Sequence, residues 1–258
     1  MLQEDRYQRI CTLLATVKRL STERIAADLG VSRETARRDV VALEALGQLR
    51  RVRGGVAAKG SEPEPPIHER IRARHAEKHA IARAAVGLLQ AGQTLFLDAG
   101  STTLALAEAL VSLRGLTIIT NGFDIARILV GTDSQAERRH EVIVLGGTLL
   151  HGLAATGGAL AITEINRYQA DVAMLSPVGV DTSLGASSFD HAEAAVARAM
   201  AERADRCVIL ADHSKLGQRS RIAYCPVERI HTLVTDKGAR RIAAFDTLRS
   251  VIPDTVIA

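Results

Sequence analysis

Apolar and polar positions between residues 21 and 56 alternate with two different periods. Ile25, Ala26 and Leu29 recur at helical spacing between Ser21 and Gly30. Ala36, Val40, Leu43 and Leu46 recur at spacings of four, three and three between Ser32 and Gly47. The pattern predicts two short helices, with Val31 plugging the core between them. Ser21 and Ser32 are the expected N-caps; Arg24 replaces the acid of a full capping box, and Glu34 falls in the first turn of the second helix. Gly30 and Gly47 are the expected stops. Leu49 to Arg53 then alternates like a strand and turns at Gly54-Gly55. Two capped helices followed by a basic hairpin make a winged helix-turn-helix, a shape that lays one helix along the major groove of DNA.

Beyond that segment the pattern changes. Gly60 to Pro66 (GSEPEPP) breaks every period and reads as a proline-stiffened linker. Residues 67–89 read as a helix pair or one bent helix, with Ile71, His75, Ile81 and Val86 among the inward candidates. From Thr94 short apolar runs alternate with amphipathic stretches. Strands are predicted at 94–98, 116–120, 141–145, 171–175, 207–211 and 231–235, and helices at 102–113, 123–130 and 191–204. This is the pattern of an α/β domain with a largely parallel sheet. The expected domains are 1–58 (winged helix-turn-helix), 59–67 (linker) and 68–258 (effector domain).

Charge sharpens the first reading. Residues 1–60 hold twelve Lys and Arg against seven Asp and Glu, whereas the remainder is close to neutral. Local basicity points to a polyanion held by the N-terminal part. The candidate DNA-contacting residues are Ser21, Ser32, Arg33, Thr35, Arg37, Arg38, Arg51 and Arg53. Arg bonds guanine bidentately, Ser and Thr reach bases or phosphates, and the basic hairpin adds phosphate contacts.

In the second part, polar and glycine residues recur at predicted strand ends, where open α/β sheets bind ligands. Asp98-Ala99-Gly100-Ser101-Thr102-Thr103 opens a helix and can cradle an anion on backbone N–H groups and hydroxyls. Thr120-Asn121-Gly122, Gly146-Gly147, Ser176 to Asp181 and Asp212-His213-Ser214-Lys215 close later strands. Five such loops at one rim predict a small anionic ligand, with Lys215 as a point charge for phosphate.

The same residues carry a family resemblance. Arg6, Ile10, the run from Ser32 to Val40, Leu43, Gly47, Leu49, Arg51 and Gly54-Gly55 resemble the DeoR-type bacterial sugar-metabolism repressors. Arg53 stands where that family usually has His. DAGSTT (98–103), TNG (120–122), LGG (145–147), GVD (179–181) and DHSK (212–215) resemble the family's sensor domain. The resemblance implies a sensor fold similar to ribose-5-phosphate isomerase, and a sugar-phosphate effector that relieves repression. Carried over by position, Gly100, Ser101, Thr102 and Thr103 hold phosphate with Lys215, while Asp98, Asn121, Asp181 and Glu193 read hydroxyls. Ser176-Pro177 departs from the family's Gly- or Ser-rich residues. Ser187 to Glu193 is similar to the matching stretch of glycerol-3-phosphate repressors, which implies a three-carbon polyol phosphate. His191 and His213 stay open between pocket and structural roles.

Several classes are set aside. Cys11, Cys207 and Cys225 are scattered and odd in number, as expected of a cytoplasmic chain without a disulfide frame. No zinc site, other metal or cofactor is expected. The polar N-terminus is not a signal peptide, and no apolar run is long enough to span a membrane. An absence of Trp and 3% aromatic residues argue against single-strand or RNA binding. The leading expectation is a repressor acting as a homo-oligomer (dimer or tetramer) on double-stranded operator DNA. A sugar-phosphate isomerase tethered to DNA uses the same residue types and is the alternative. A packaging protein is disfavoured by the neutral C-terminal part.

Overall fold

The computed structural model describes residues 3–17, 19–46, 48–52, 55–58, 65–131 and 139–258. The chain divides into two compact units, Met1–Pro63 and Glu64–Ala258. In the first, helix α1 (Gln3–Val17) precedes a short strand β1 (Arg19–Leu20), helices α2 (Thr22–Leu29) and α3 (Arg33–Ala45), and strands β2 (Leu49–Val52) and β3 (Gly55–Ala58). The three strands form an antiparallel sheet in the order β1-β3-β2. Ser21 caps α2 by accepting the Arg24 N–H at 3.1 Å, and Ser32 caps α3 by accepting the Thr35 N–H at 3.1 Å. Gly30 ends α2 at φ 63°, the left-handed conformation that costs an L side chain but not glycine.

Ile10, Leu14, Ile25, Leu29, Ala36, Val40, Leu43, Leu49 and Val56 form the core of this unit, with Val31 packed against it. Leu46 is a correction: it lies 64% exposed as the C-cap of α3 rather than on the apolar stripe. The stripe instead includes a charged residue. Asp39, 2% exposed, receives Arg6 Nε at 2.6 Å and Arg6 Nη2 at 2.9 Å. This two-point ion pair clamps α1 to α3 and supplies the partners that a buried carboxylate requires. Gly47, Arg53 and Gly54, and residues 59–64 of the expected linker, lie outside the described residues.

The second unit opens with α4 (Ile67–Arg72) and α5 (His75–Val86), so the expected helix pair is split at Ala73-Arg74. His75 is exposed, contrary to its inward assignment, whereas Lys78 is buried. Then follow β4 (Thr94–Leu97), α6 (Ser101–Leu110), β5 (Thr117–Thr120), α7 (Phe123–Val130), β6 (Glu141–Val144), β7 (Thr148–Leu149), β8 (Thr156–Gly157), α8 (Gly158–Ile165) and β9 (Ala170–Leu175). The chain continues through β10 (Gly179–Asp181), β11 (Gly185–Ser188), α9 (His191–Glu202), β12 (Ala204–Leu210), β13 (Ile222–Cys225), β14 (Thr232–Thr235), α10 (Ala243–Val251) and β15 (Asp254–Ile257).

Seven strands pair in parallel in the order β15-β14-β12-β9-β4-β5-β6. Successive side chains of a strand point to opposite faces. Leu95, Leu97, Val172, Met174, Val208, Leu210 and Val234 accordingly join one core with α5, α6 and α7. Phe96, Ala173, Leu175, Cys207, Ile209 and Leu233 join the other with α8, α9 and α10. Both faces are covered, which is why these strands read as short continuous apolar runs. A separate antiparallel sheet, β10-β11-β13, and the pair β7-β8 were not anticipated, nor was β15.

The Arg6–Asp39 clamp has a measurable consequence. Asp39→Ala and Arg6→Ala should each lower the denaturation midpoint of the first unit, and the double variant should lose less than the two losses added. Equilibrium unfolding of the three variants checks this; simple additivity would show the two residues are not coupled.

Candidate functional site

The outward surface of α3 is the first candidate. Ser32, Arg33, Arg37 and Arg38 are exposed and Thr35 is half-buried. The Ser32 and Thr35 hydroxyls lie 2.9 Å apart. Arg37 and Arg38 each place Nε 3.5 Å from a Glu34 carboxylate oxygen. Ser21 and Ser32 both cap a helix, their hydroxyl oxygens taking the Arg24 and Thr35 N–H groups. Arg51 also has a local partner: its Nε donates to Glu44 at 2.7 Å and its backbone N–H to the same carboxylate at 3.0 Å, tying β2 back to α3. Arg53 lies outside the described residues.

The second candidate follows from sheet topology. From β4 the chain moves outward one way to β5 and β6, and the other way to β9, β12, β14 and β15. Such a reversal opens a crevice at the carboxyl ends of the two strands that flank it. Asp98 follows β4 and Ser176 follows β9, and the Ser176 N–H donates to the Asp98 carboxylate at 3.1 Å. Beside them lies a cavity of about 200 Å³ lined by Ser101, Thr102, Ser176, Pro177, Asp212, Ser214 and Lys215, and from α4 and α5 by Glu69, Arg70, Arg74 and Lys78.

The expected cradle is therefore partly assembled here. Ser101 and Thr102 stand at the start of α6 and Lys215 in a 3-10 turn after β12. Gly100 precedes them as N-cap of α6. Thr103 is fully buried and donates to the Gly100 carbonyl at 3.1 Å, so it braces the loop from beneath. Arg70, Arg74 and Lys78 were missed. Their spacing of four residues was the available signal, obscured by reading 67–89 only for its apolar face. Arg74 has φ 51°, the one non-glycine positive φ among the described residues. That conformation is costly for a residue with a Cβ and concentrates at functional positions. It places Arg74 Nε 3.4 Å from Asp212 Oδ1 at the cavity.

Other candidates lie elsewhere. Asn121 is buried with its amide donating to the Thr156 carbonyl at 2.7 Å, and its Oδ1 has no partner among the described residues. Gly146 donates its N–H to Glu164 at 2.7 Å. A Cβ on Gly147 would stand 2.5 Å from the Gly157 carbonyl oxygen, so this glycine permits close approach of β8. None of these three lines the cavity, since β5 and β6 lie on the far side of the reversal. Asp181 does not line it either. Burial acts to raise its pKa, but bonds from the Leu184 N–H, Arg219 and Ser183 hold it below the usual carboxylate range, and it organises the β10–β11 turn. His213 Nδ1 lies 2.9 Å from Asp236, a structural pairing, and His191 is exposed.

Asp98 and Glu193 form a second polar cluster behind the cavity. Asp98 is buried and its pKa is pushed up to about 7, chiefly by burial and further by the Glu193 carboxylate, against bonds from Ser176 and Thr103 and the charge of Arg70. Glu193 sits in the first turn of α9 and accepts from Ser188 Oγ at 3.5 Å. At neutral pH Asp98 is poised between hydrogen-bond donor and acceptor. His75 and His79 stand four apart on α5, with their Nε2 atoms 3.0 Å apart. No group of three or more ligands able to hold a metal ion occurs among the described residues. No helix there is long and apolar enough to cross a membrane.

The two units match two known families: the DeoR-like helix-turn-helix domain over residues 6–62 and the DeoR C terminal sensor domain over residues 73–237. The transcriptional repressor AccR of Agrobacterium fabrum is 33% identical over 93% of this chain and 92% of its own. The chain belongs to the DeoR family. A second relative, the glycerol-3-phosphate regulon repressor of Escherichia coli, is 29% identical over 92% of each chain. Among solved structures, ribose 5 phosphate isomerase A from Neisseria gonorrhoeae aligns at 18% identity and TM-score 0.39 over 56% of this chain and 54% of that one. This DeoR-family chain is a transcriptional regulator and not an enzyme, so the isomerase alternative falls.

The Asp98 pKa makes a pH prediction. Its folded value of about 7 lies above the unfolded carboxylate value of roughly 4, so the native state binds the extra proton between them. Stability therefore falls as pH rises through this window, and the loss is complete above about 7. Asp98→Asn should melt above the parent chain at pH 8, with the gap closing toward pH 5. Thermal melts across that range check it.

Proposed function

We propose that this chain is a repressor of carbohydrate or polyol metabolism, released from operator DNA by a phosphorylated sugar or polyol bound in the α4–α5 cavity. The supporting observation is the lining: Arg70, Arg74, Lys78 and Lys215 against Glu69 and Asp212, with two hydroxyls at the start of α6. An excess of cations around a space of about 200 Å³ suits a compact phosphate ester better than a neutral sugar. On this reading Ser101, Thr102 and Lys215 hold the phosphate with Arg70, Arg74 and Lys78. The Asp98–Glu193 pair reads hydroxyls behind it.

Operator contact falls to α3, with Arg33, Arg37 and Arg38 reaching bases and phosphates, and Ser32 and Thr35 beside them. One winged unit makes a small interface, so paired half-sites and an even homo-oligomer supply specific affinity. The chain acts where its operator is, in the cytoplasm. Effector binding draws the loop at Gly100 and Lys215 toward α4–α5, the elements that follow the linker in chain order. A coupling of roughly 1–3 kcal/mol changes operator affinity about 5–150-fold.

Four experiments test this. Arg37→Ala or Arg38→Ala should weaken specific operator binding by about 1–3 kcal/mol in gel shift if the residue reads a base. Lys215→Ala should bind operator normally and no longer respond to effector. Arg74→Gly accommodates the same backbone conformation without the guanidinium, and should lower effector affinity roughly 10- to 100-fold by calorimetry while the fold stays intact. If no sugar or polyol phosphate at millimolar concentration changes operator binding by the parent chain, the effector reading is wrong.

A further inference from the structure

Cys207 and Cys225 are far apart in sequence, and each is 1% exposed. Cys207 is on β12 of the central sheet and Cys225 ends β13 of the antiparallel sheet. Their sulfur atoms are 3.6 Å apart, in van der Waals contact and unbonded. A disulfide requires about 2.05 Å. Bonding therefore requires the two sulfurs to approach by roughly 1.5 Å. The two strands do not pair with each other, so a covalent link between them breaks no ladder.

The backbone around both thiols is fixed. Cys207 donates its N–H to His231 Nδ1 at 3.1 Å and accepts the His231 N–H at 2.9 Å. Cys225 is in register with Ala186 of β11. The contact between the two sulfurs is the largest influence on both thiols; burial raises both, and the positive charge of Arg229 acts against burial at each. The hydrogen bond from Cys207 lowers the Cys225 pKa and raises that of Cys207, which makes Cys225 the better nucleophile.

We infer that Cys207 and Cys225 form a redox modification site, which a hydroperoxide converts to an intramolecular disulfide joining the central sheet to the antiparallel sheet. The Cys225 thiolate attacks a peroxide oxygen and the O–O bond breaks. With hydrogen peroxide this leaves a sulfenic acid at Cys225 and, after proton uptake, one water. Cys207 then attacks the Cys225 sulfur, the S–O bond breaks, and a second water leaves with the Cys207 proton. Two thiols lose two electrons in total and the peroxide gains them. β13 pairs with β11, whose Ser188 bonds Glu193, so the link also tethers the strand set behind the cavity.

The test uses the full chain and hydrogen peroxide, with Cys11 as internal control. After brief treatment, denaturation and alkylation, intact mass should show a monomer that has lost two of its three thiols. Peptide mapping should join the segments containing Cys207 and Cys225. The oxidised chain should melt about 5 °C or more above the reduced one, a gap that dithiothreitol erases. In Cys225→Ser the linked peptide and the thermal gap should both vanish. Cys225→Ala serves as the second variant should the serine hydroxyl prove too costly to bury. The inference is overturned if both thiols stay alkylatable under conditions that oxidise Cys11, or if Cys225 proceeds to sulfinic acid without bonding Cys207. Loss of effector response would leave these outcomes unaffected, so the two readings fail separately.

Discussion

The reversal of strand order at β4 is the constraint on which the rest of the second unit depends. All seven strands of the sheet are parallel and its inner strands are covered on both faces, so its interior is costly for polar chemistry. Polar groups can gather only at the strand ends, and only where neighbouring connections diverge is there space between them. The bond from the Ser176 N–H to Asp98 spans that divergence. It aligns the loop after β9 with the loop after β4 and sets one wall of the cavity. The loops after β5 and β6 lie beyond the reversal; Gly122 packs against Ala99 and Ile125, and Gly146 and Gly147 pack against β8 and α8.

The cations reach this site by a different route. Arg70, Arg74 and Lys78 come from α4 and α5, which precede the sheet in the chain. A single straight helix would present these residues as one row. The break at Arg74 turns the two segments apart, at the cost of a left-handed residue. The strain is local and the return is geometric, since Arg74 approaches Asp212 on the β12 loop from across the cavity. The same cations oppose the rise in the Asp98 pKa, through Arg70. A ligand phosphate that drew on Arg70 would weaken that opposition, so occupancy and the protonation of Asp98 are linked by charge.

The two helices and the hairpin of the winged unit were legible because caps and stops are written in single residues; α1, β1 and the Arg6–Asp39 pair were not. Ser21, Gly30 and Ser32 do in space what their types imply, and the stripe through Ala36, Val40 and Leu43 is buried. Leu46 misled because spacing alone cannot tell the last helical turn from the cap. The parallel strands were legible as apolar runs. The antiparallel sheet was not, because Gly179–Asp181 and Gly185–Ser188 are too short and too polar to carry a period, and the first of them reads as the end of a ligand loop. Asp181 joined the expected site for that reason, and Gly146 and Gly147 joined it as glycines closing a strand; none of the three lines the cavity. Lys215 was legible at its strand end, but Arg70, Arg74 and Lys78 were not, because their spacing of four is a polar period beside the apolar one.

The exposed face of α3 carries its own restraint on what it binds. Glu34 stands 3.5 Å from both Arg37 and Arg38, and surface pairs of this kind contribute little to stability. Their effect is on conformation and on field. On the proposed operator contact, each guanidinium biased toward Glu34 loses less side-chain freedom at a base edge. The carboxylate also offsets positive charge beside the helix N-terminus and repels phosphate that approaches there. A bare cluster of three arginines would favour any polyanion. A cluster with an acid at its centre keeps its advantage for partners that supply both acceptors and donors, as base edges in the major groove do and phosphate oxygens do not.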